Sequence, residues 1–186
     1  GDGIAADSLT GLGAVDVTGA TTIKAAAISG SGTQRYRSTV VLGVDGANRT
    51  KTLTGTTVTF DDTVNATTKG SEALVVTGDG VFNNTVGVFT ELGAVSVSGT
   101  STFNASAIDV RTDNTGGGTG NQTYSGAVTL NDNLSLLATG AGTIALNGGG
   151  SSGTNKNLTI SAPTAVNLGD GIAADSLTGL GAVDVT

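Results

Sequence analysis

Gly1-Asp2-Gly3-Ile4-Ala5-Ala6-Asp7-Ser8-Leu9-Thr10-Gly11-Leu12-Gly13-Ala14-Val15-Asp16-Val17-Thr18 recurs without a change from Gly169 to Thr186, at an offset of 168 residues. Eighteen identical residues do not arise by chance. They mark the chain as one period of a longer repeating polymer plus the start of the next. Self-similarity at a fixed period is the signature of stacked, elongated architectures. A fainter duplication lies inside the long one. Thr10–Gly19 aligns with Thr90–Gly99 at an offset of 80, and Gln34–Leu42 aligns with Gln122–Leu130 at an offset of 88. Two half-repeats result, about 10–89 and 90–177, and the second carries eight extra residues within Asp109–Gly120. That segment is rich in Gly, Thr, Asp and Asn. An insertion that leaves its flanks in register behaves as a surface loop.

The content of the repeats is strand. Ala14–Val17, Leu53–Phe60, Leu74–Val76, Ala94–Ser98, Ala127–Leu130, Leu134–Leu137, Thr143–Leu146 and Leu158–Ala162 are short, β-branched or alternating, and separated by Gly, Asn, Asp and Ser. Ile4–Leu9 and Ala25–Ile28 are the best helix formers and are too short to stand as helices. Cutting at the glycine-rich punctuation gives about eight units of roughly 21 residues in the 168-residue period. A coil of a parallel β-helix has this size, and eight coils spaced at about 4.8 Å predict a rise of roughly 38–40 Å per period. The expected fold is therefore all-β, a right-handed parallel β-helix continuous over 1–186. Tandem β-sandwiches of about 80 residues share the strand reading, but hairpin signals are sparse, with Asn-Gly only at Asn147-Gly148.

Aromatics are 3% and charged residues 12% of the chain, yet mean hydropathy is +0.16. Too apolar for a solvated coil, the composition suits a narrow core of Val, Leu, Ile and Ala. The expected inward column is Val15, Val17, Ile28, Val41, Leu53, Val58, Val75, Val95, Val97, Ile108, Val128, Leu136, Ile144, Leu158, Ile160 and Val166. Cys, His, Met and Trp are absent, which removes disulfides, thiolate metal sites and the commonest general base. A net charge of −7 and a pI near 4.2 argue against nucleic acid and anionic membrane as partners. No apolar run reaches the length of a membrane span. A segment from within a long chain would carry no signal peptide of its own.

The phrases Gly120-Asn121-Gln122-Thr123-Tyr124-Ser125-Gly126-Ala127-Val128-Thr129-Leu130 and Leu137-Ala138-Thr139-Gly140-Ala141-Gly142-Thr143-Ile144-Ala145-Leu146 resemble the repeats of filamentous-haemagglutinin-like adhesins and autotransporter passengers, giant bacterial surface proteins. The first half departs from this pattern, with Arg35 in place of Thr in Gln34-Arg35-Tyr36. The resemblance implies a β-helix shaft on a cell surface. It identifies no receptor.

Candidate chemistry is sparse. Asp61-Asp62 is the only adjacent acid pair and falls at a strand end or turn; β-helix enzymes that cleave polysaccharides need a carboxylate pair at set separation, and none stands out. Asp2, Asp79 and Asp170 sit between glycines, but the dense nonapeptides of calcium rolls are missing, so turn roles are expected. Thr52-Leu53-Thr54 and Thr57-Val58-Thr59 suit an ice-binding row only locally. Asn48, Asn65, Asn83, Asn104, Asn121, Asn133 and Asn157 all open Asn-x-Ser/Thr acceptor patterns for N-glycosylation; asparagine ladders bonded along the axis account for the same distribution. Arg111, Thr112, Asp113 and Asn114, in the insertion, form the candidate contact loop. The expected function is a stiff extracellular or cell-surface shaft, without catalysis or cofactor, whose partners are further copies of the repeat stacked end to end. The alternative is an adhesin segment binding host or neighbouring-cell ligands through surface loops.

Overall fold

The computed structural model describes residues 7–44, 46–171 and 175–186. Gly1–Ala6, with Asp2, and Ile172–Ala174 lie outside the described residues, so only part of each copy of the repeated segment is seen. Among the described residues there is no helix, and every strand pairing is parallel. The chain is a three-sided β-solenoid of about seven turns, a parallel β-helix.

Each turn contributes one short strand to each face. The first face stacks β1 (Ser8–Leu12), β4 (Ala27–Gly30), the start of β7 (Thr50–Phe60), the start of β9 (Ala73–Phe82), β10 (Ala94–Val97), β13 (Gln122–Tyr124), β16 (Thr143–Leu146) and β18 (Ala165–Leu168). The second face stacks β2 (Val15–Val17), β5 (Gln34–Tyr36), the ends of β7 and β9, β11 (Ser101–Phe103), β14 (Val128–Leu130), the start of β17 (Gly150–Ser161) and the start of β19 (Leu177–Val185). The third face stacks β3 (Thr21–Ile23), β6 (Val40–Leu42), β8 (Val64–Ala66), a single bridge at Val86, β12 (Ile108–Thr112), β15 (Leu134–Ala138) and the ends of β17 and β19.

The coils are unequal where eight equal coils were expected. One rung to the next takes 19 residues from Val15 to Gln34 but 27 from Val95 to Gln122. The surplus collects at one corner, between the third face and the first, in residues 43–49, 67–72, 87–93 and 113–121. A corner outside the ladder can lengthen without breaking a strand pair, which is why register survives it.

Alternation places the core. Leu53, Val58, Val64, Leu74, Val76, Val86, Leu92, Val97, Val128, Leu136, Ile144 and Ile160 are completely buried. Of the expected inward column, Val41 and Val75 face outward; Val40, Leu42, Leu74 and Val76 point in instead. Runs such as Val40-Val41-Leu42 are apolar on both parities, so composition does not fix which set turns inward, and a slip of one residue exchanges the faces. Val15, Val17, Ile28 and Val166 are only half-buried, because they lie in the outermost turns.

The aromatics correct a further expectation. The composition predicts an aliphatic column, yet five of the six aromatic residues form one interior ladder. Tyr36, Phe60, Phe82 and Phe103 stack rung on rung along the second face with centroids 5.2–5.6 Å apart, and Tyr124 closes the row edge-on at 5.9 Å. One ring per coil fits because coil spacing and ring offset-stacking distance match.

Candidate functional site

Gln34 and Gln122, the aligned glutamines of the two half-repeats, open β5 and β13 and are fully buried. Gln34 Nε2 donates to the carbonyls of Ile28 (2.9 Å) and Thr54 (2.7 Å), and its Oε1 accepts the Tyr36 hydroxyl at 3.0 Å. Gln122 does the same with Val110 and Leu137, both at 3.0 Å, and with the Tyr124 hydroxyl at 3.1 Å. Each amide thus clips the preceding strand to the same face of the next coil. Burial pushes the Tyr36 phenol up to about 12 and the Tyr124 phenol higher still, so both stay neutral hydrogen-bond donors. The Gln-x-Tyr triplet, Gln34-Arg35-Tyr36 and Gln122-Thr123-Tyr124, is therefore a structural clip in this chain. Gln122→Met leaves two carbonyls and a phenol without their partner; we expect a loss of about 2–4 kcal/mol, read as accelerated amide exchange in the coils on either side of Gln122.

A second ladder runs outside the corner between the second and third faces. Asn131 Nδ2 donates to Asn104 Oδ1 (2.6 Å), Asn104 Nδ2 to Asn83 Oδ1 (2.8 Å), and Asn83 Nδ2 to Asp61 Oδ1 (2.8 Å). Arg35 Nε ends the row on Asp61 Oδ2 at 2.7 Å. That hydrogen bond outweighs desolvation and, with the one from Asn83, holds the Asp61 carboxyl below its usual range. Asp62 accepts from Asn84 Nδ2 and Thr39 Oγ1. The acid pair is thus spent on turn and ladder bonds. Arg37 pairs with Asp16 through two 2.7 Å bonds, so both members of the Arg35/Arg37 pair are engaged by acids one coil away.

The seven acceptor-pattern asparagines differ in what their amides do. Asn83 and Asn104 use Nδ2, the atom a glycan would occupy, inside the ladder. Asn65 is buried and its Oδ1 accepts from the Phe89 and Thr90 amides. Asn48, Asn121, Asn133 and Asn157 accept backbone amides of Thr50, Thr143, Asn157 and Ala182. Asn133 and Asn157 also line, with Ala107, Asp109, Ser135 and Thr159, a groove of about 200 Å³. This is smaller than pockets that engulf a small molecule.

Of the candidate contact residues, Arg111 and Thr112 lie in β12, and Thr112 and Asp113 are buried. Arg111 pairs with Asp109 at 2.7 Å. Asn114 is half-buried, and only Thr115, Gly117 and Thr119 of the insertion are fully exposed. The insertion lies flat on its corner, with the Gly118 amide on the Gly70 carbonyl at 2.8 Å and that of Gly120 on Gly93 at 2.7 Å. A Cβ on Gly116 would sit 2.2 Å from the Lys69 carbonyl oxygen, so this approach requires glycine. Asp113 is the anchor: its Oδ1 takes the Thr115 amide (2.6 Å) and hydroxyl, its Oδ2 the Thr139 hydroxyl at 2.5 Å, and Lys69 Nζ stands 3.6 Å away. Desolvation opposes ionisation, but these hydrogen bonds and Lys69 outweigh it and hold the carboxyl at about 2.

A folded value below the unfolded one of 3.8 means that Asp113 stabilises the loop above that pH and ceases to as pH falls towards 2. The melting-temperature gap between the native chain and Asp113→Asn should be open at pH 6 and close on descending through that window. A gap independent of pH would remove the carboxylate from the role of anchor.

Lys51 and Glu72, both fully buried, were not singled out by sequence. Lys51 occupies the inward parity of Thr50-Lys51-Thr52-Leu53, a signal readable from the alternation, and its Nζ donates to the Lys24 and Asn48 carbonyls at 2.6 and 3.2 Å. Glu72 Oε2 accepts the Thr68 amide at 2.8 Å, while Oε1 meets no hydrogen-bond partner among the described residues. Both serve the loop corner. Among the described residues no group of three or more acids converges as a metal site would need. Asp79 accepts the Thr100 amide at 2.8 Å, a turn role, and the Asp170 amide donates to Asp175. Thr59 stacks between Arg35 and Val81, which interrupts any threonine row on that face.

No protein-family model matches the chain, and neither a curated protein nor a solved structure matches it.

Proposed function

We propose that this chain is a length of stiff shaft in an extracellular or cell-surface fibre, without catalytic activity. One observation carries the reading: the second copy of the repeated segment continues the stack, Leu177–Val185 lying parallel on β17 with bulges between Ser151 and Leu158. A chain whose repeat is built as its own continuation is suited to indefinite extension. Stiffness follows from ladder bonds on three faces, the ring ladder and the asparagine row, all directed along the axis. An acidic surface keeps such a rod soluble. The resemblance of Gln122-Thr123-Tyr124 and its surroundings to bacterial surface adhesins agrees with this setting.

Electron cryo-microscopy of the native material tests the proposal. A thin fibre with layers at about 4.8 Å is the expected result; separate beads would overturn it.

The corner carrying the surplus residues favours a second reading, an adhesive shaft. Phe89 is 78% exposed there, beside the Lys69–Glu91 pair at 3.5 Å. An isolated exposed aromatic among polar loops suits a contact point. Binding to cells that survives Phe89→Ser would count against it.

A further inference from the structure

The long repeat does not contain a whole number of turns. Nineteen strands, four of which cross two faces, together with the Val86 bridge make twenty-four strand positions over the described residues. Ser8–Leu12 opens the first face, but its copy begins at Leu177 on the second face. Val15–Val17 lies on the second face, and its copy Val183–Val185 on the third. The period therefore spans twenty-two strand positions, seven turns and one face. The half-repeat gives half of that count independently, eleven positions or three turns and two faces, and two such halves sum to seven turns and one face. Gln34–Tyr36 is on the second face and Gln122–Tyr124, eleven positions later, on the first. Nevertheless Gln34 and Gln122 make the same clip to the preceding strand and to the one a coil beyond it. The Tyr36 ring joins the ladder face to face, whereas Tyr124 meets it edge-on from the neighbouring face.

We infer that successive 168-residue repeats of the fibre are each turned by one face of the prism, so that any surface feature returns to the same side only after three repeats. This rests on the shaft reading above. The rise per repeat is then about 35 Å, shorter than eight full coils would give. The Phe89 loop, on the corner between the third and first faces in this repeat, falls on the corner between the first and second in the next. A fibre would thus present it on all three sides, a multivalent display open to a partner from any direction.

The chain has no cysteine, so paired cysteines report neighbours cleanly. Thr159 and Asp184 are register partners on the third face, both exposed. Without the turn, Asp184 would take the place of Asp16 on the second face, above Ser151. In Thr159→Cys/Asp184→Cys, diamide should oxidise the two thiols to one disulfide, taking up two electrons and two protons, and peptide mass mapping should find the link in most molecules. The comparison chain is Ser151→Cys/Asp184→Cys, and Ser135→Cys/Thr159→Cys, partners in the interior of the stack, is the control. A link at 159–184 with none at 151–184 supports the turn. The reverse overturns the turn and leaves the shaft. A linked control with neither test pair linked overturns both the turn and the seating of the copy as the next coils. An unlinked control overturns the stacked shaft itself.

Discussion

Val97→Asp should unfold the middle of the rod. Val97 is completely buried on the first face, paired with Val76 below and Tyr124 above. A carboxylate at this fully buried position is cut off from solvent. An unpaired buried charge costs several kcal/mol, here about 4 or more, even after the group is protonated. In a stack each coil is stabilised only by its neighbours, so the damage stays local before it spreads. Hydrogen exchange should show lost protection at 73–76, 94–97 and 122–124, with the outer coils less affected. Val97→Thr, nearly isosteric, should cost far less. Unchanged protection in Val97→Asp would mean that the inward parity of Ala94-Val95-Ser96-Val97 is misassigned.

The second large effect is expected at Phe82. Its ring lies between Phe60 at 5.5 Å and Phe103 at 5.2 Å, so truncation opens a cavity with aromatic walls on both sides. Phe82→Ala should cost about 3–5 kcal/mol, and the cavity cannot collapse because ladder bonds fix the coil spacing. Phe82→Leu should cost less than half of that. The reason is in the same molecule: on the second face the rung above Phe103 is Leu130, buried in the same column, so this column already accepts leucine. Thermal melts of the two variants beside the native chain give the comparison. Equal losses for Ala and Leu would show that ring-to-ring stacking, not volume, dominates the column.

Much of the architecture was legible before any coordinates. The repeated eighteen residues, the short alternating strands and the lack of hairpin turns lead to a parallel solenoid, and Leu53, Val58, Val95, Val97, Leu136 and Ile160 can be placed inside from parity alone. Parity fails at Val41 and Val75, where apolar residues stand at successive positions and only the pairing partners decide which points in. The rings were overlooked for a different reason. Tyr36, Phe60, Phe82 and Phe103 are 21–24 residues apart, and that spacing is meaningless until the rung-to-rung step is known. At the candidate loop, sequence located the insertion between the half-repeats. It did not reveal that Asp113 is bound into the corner by Thr115 and Thr139, because Thr139 arrives from the next coil.

The sequence by itself determined the unit of construction, a strand of three to five residues followed by a turn, and the fact that such units repeat. Only the tertiary structure decided how many make a turn and where each copy falls. Three units close one coil, and neither eleven nor twenty-two is a multiple of three, so identical residues land on different faces. The physical reason is that the three faces offer a strand the same environment: one apolar parity towards the axis, a parallel neighbour above and below, and a strand start where a buried glutamine can bridge coils. A strand unit carries no information about which face it occupies, and the count along the chain supplies it.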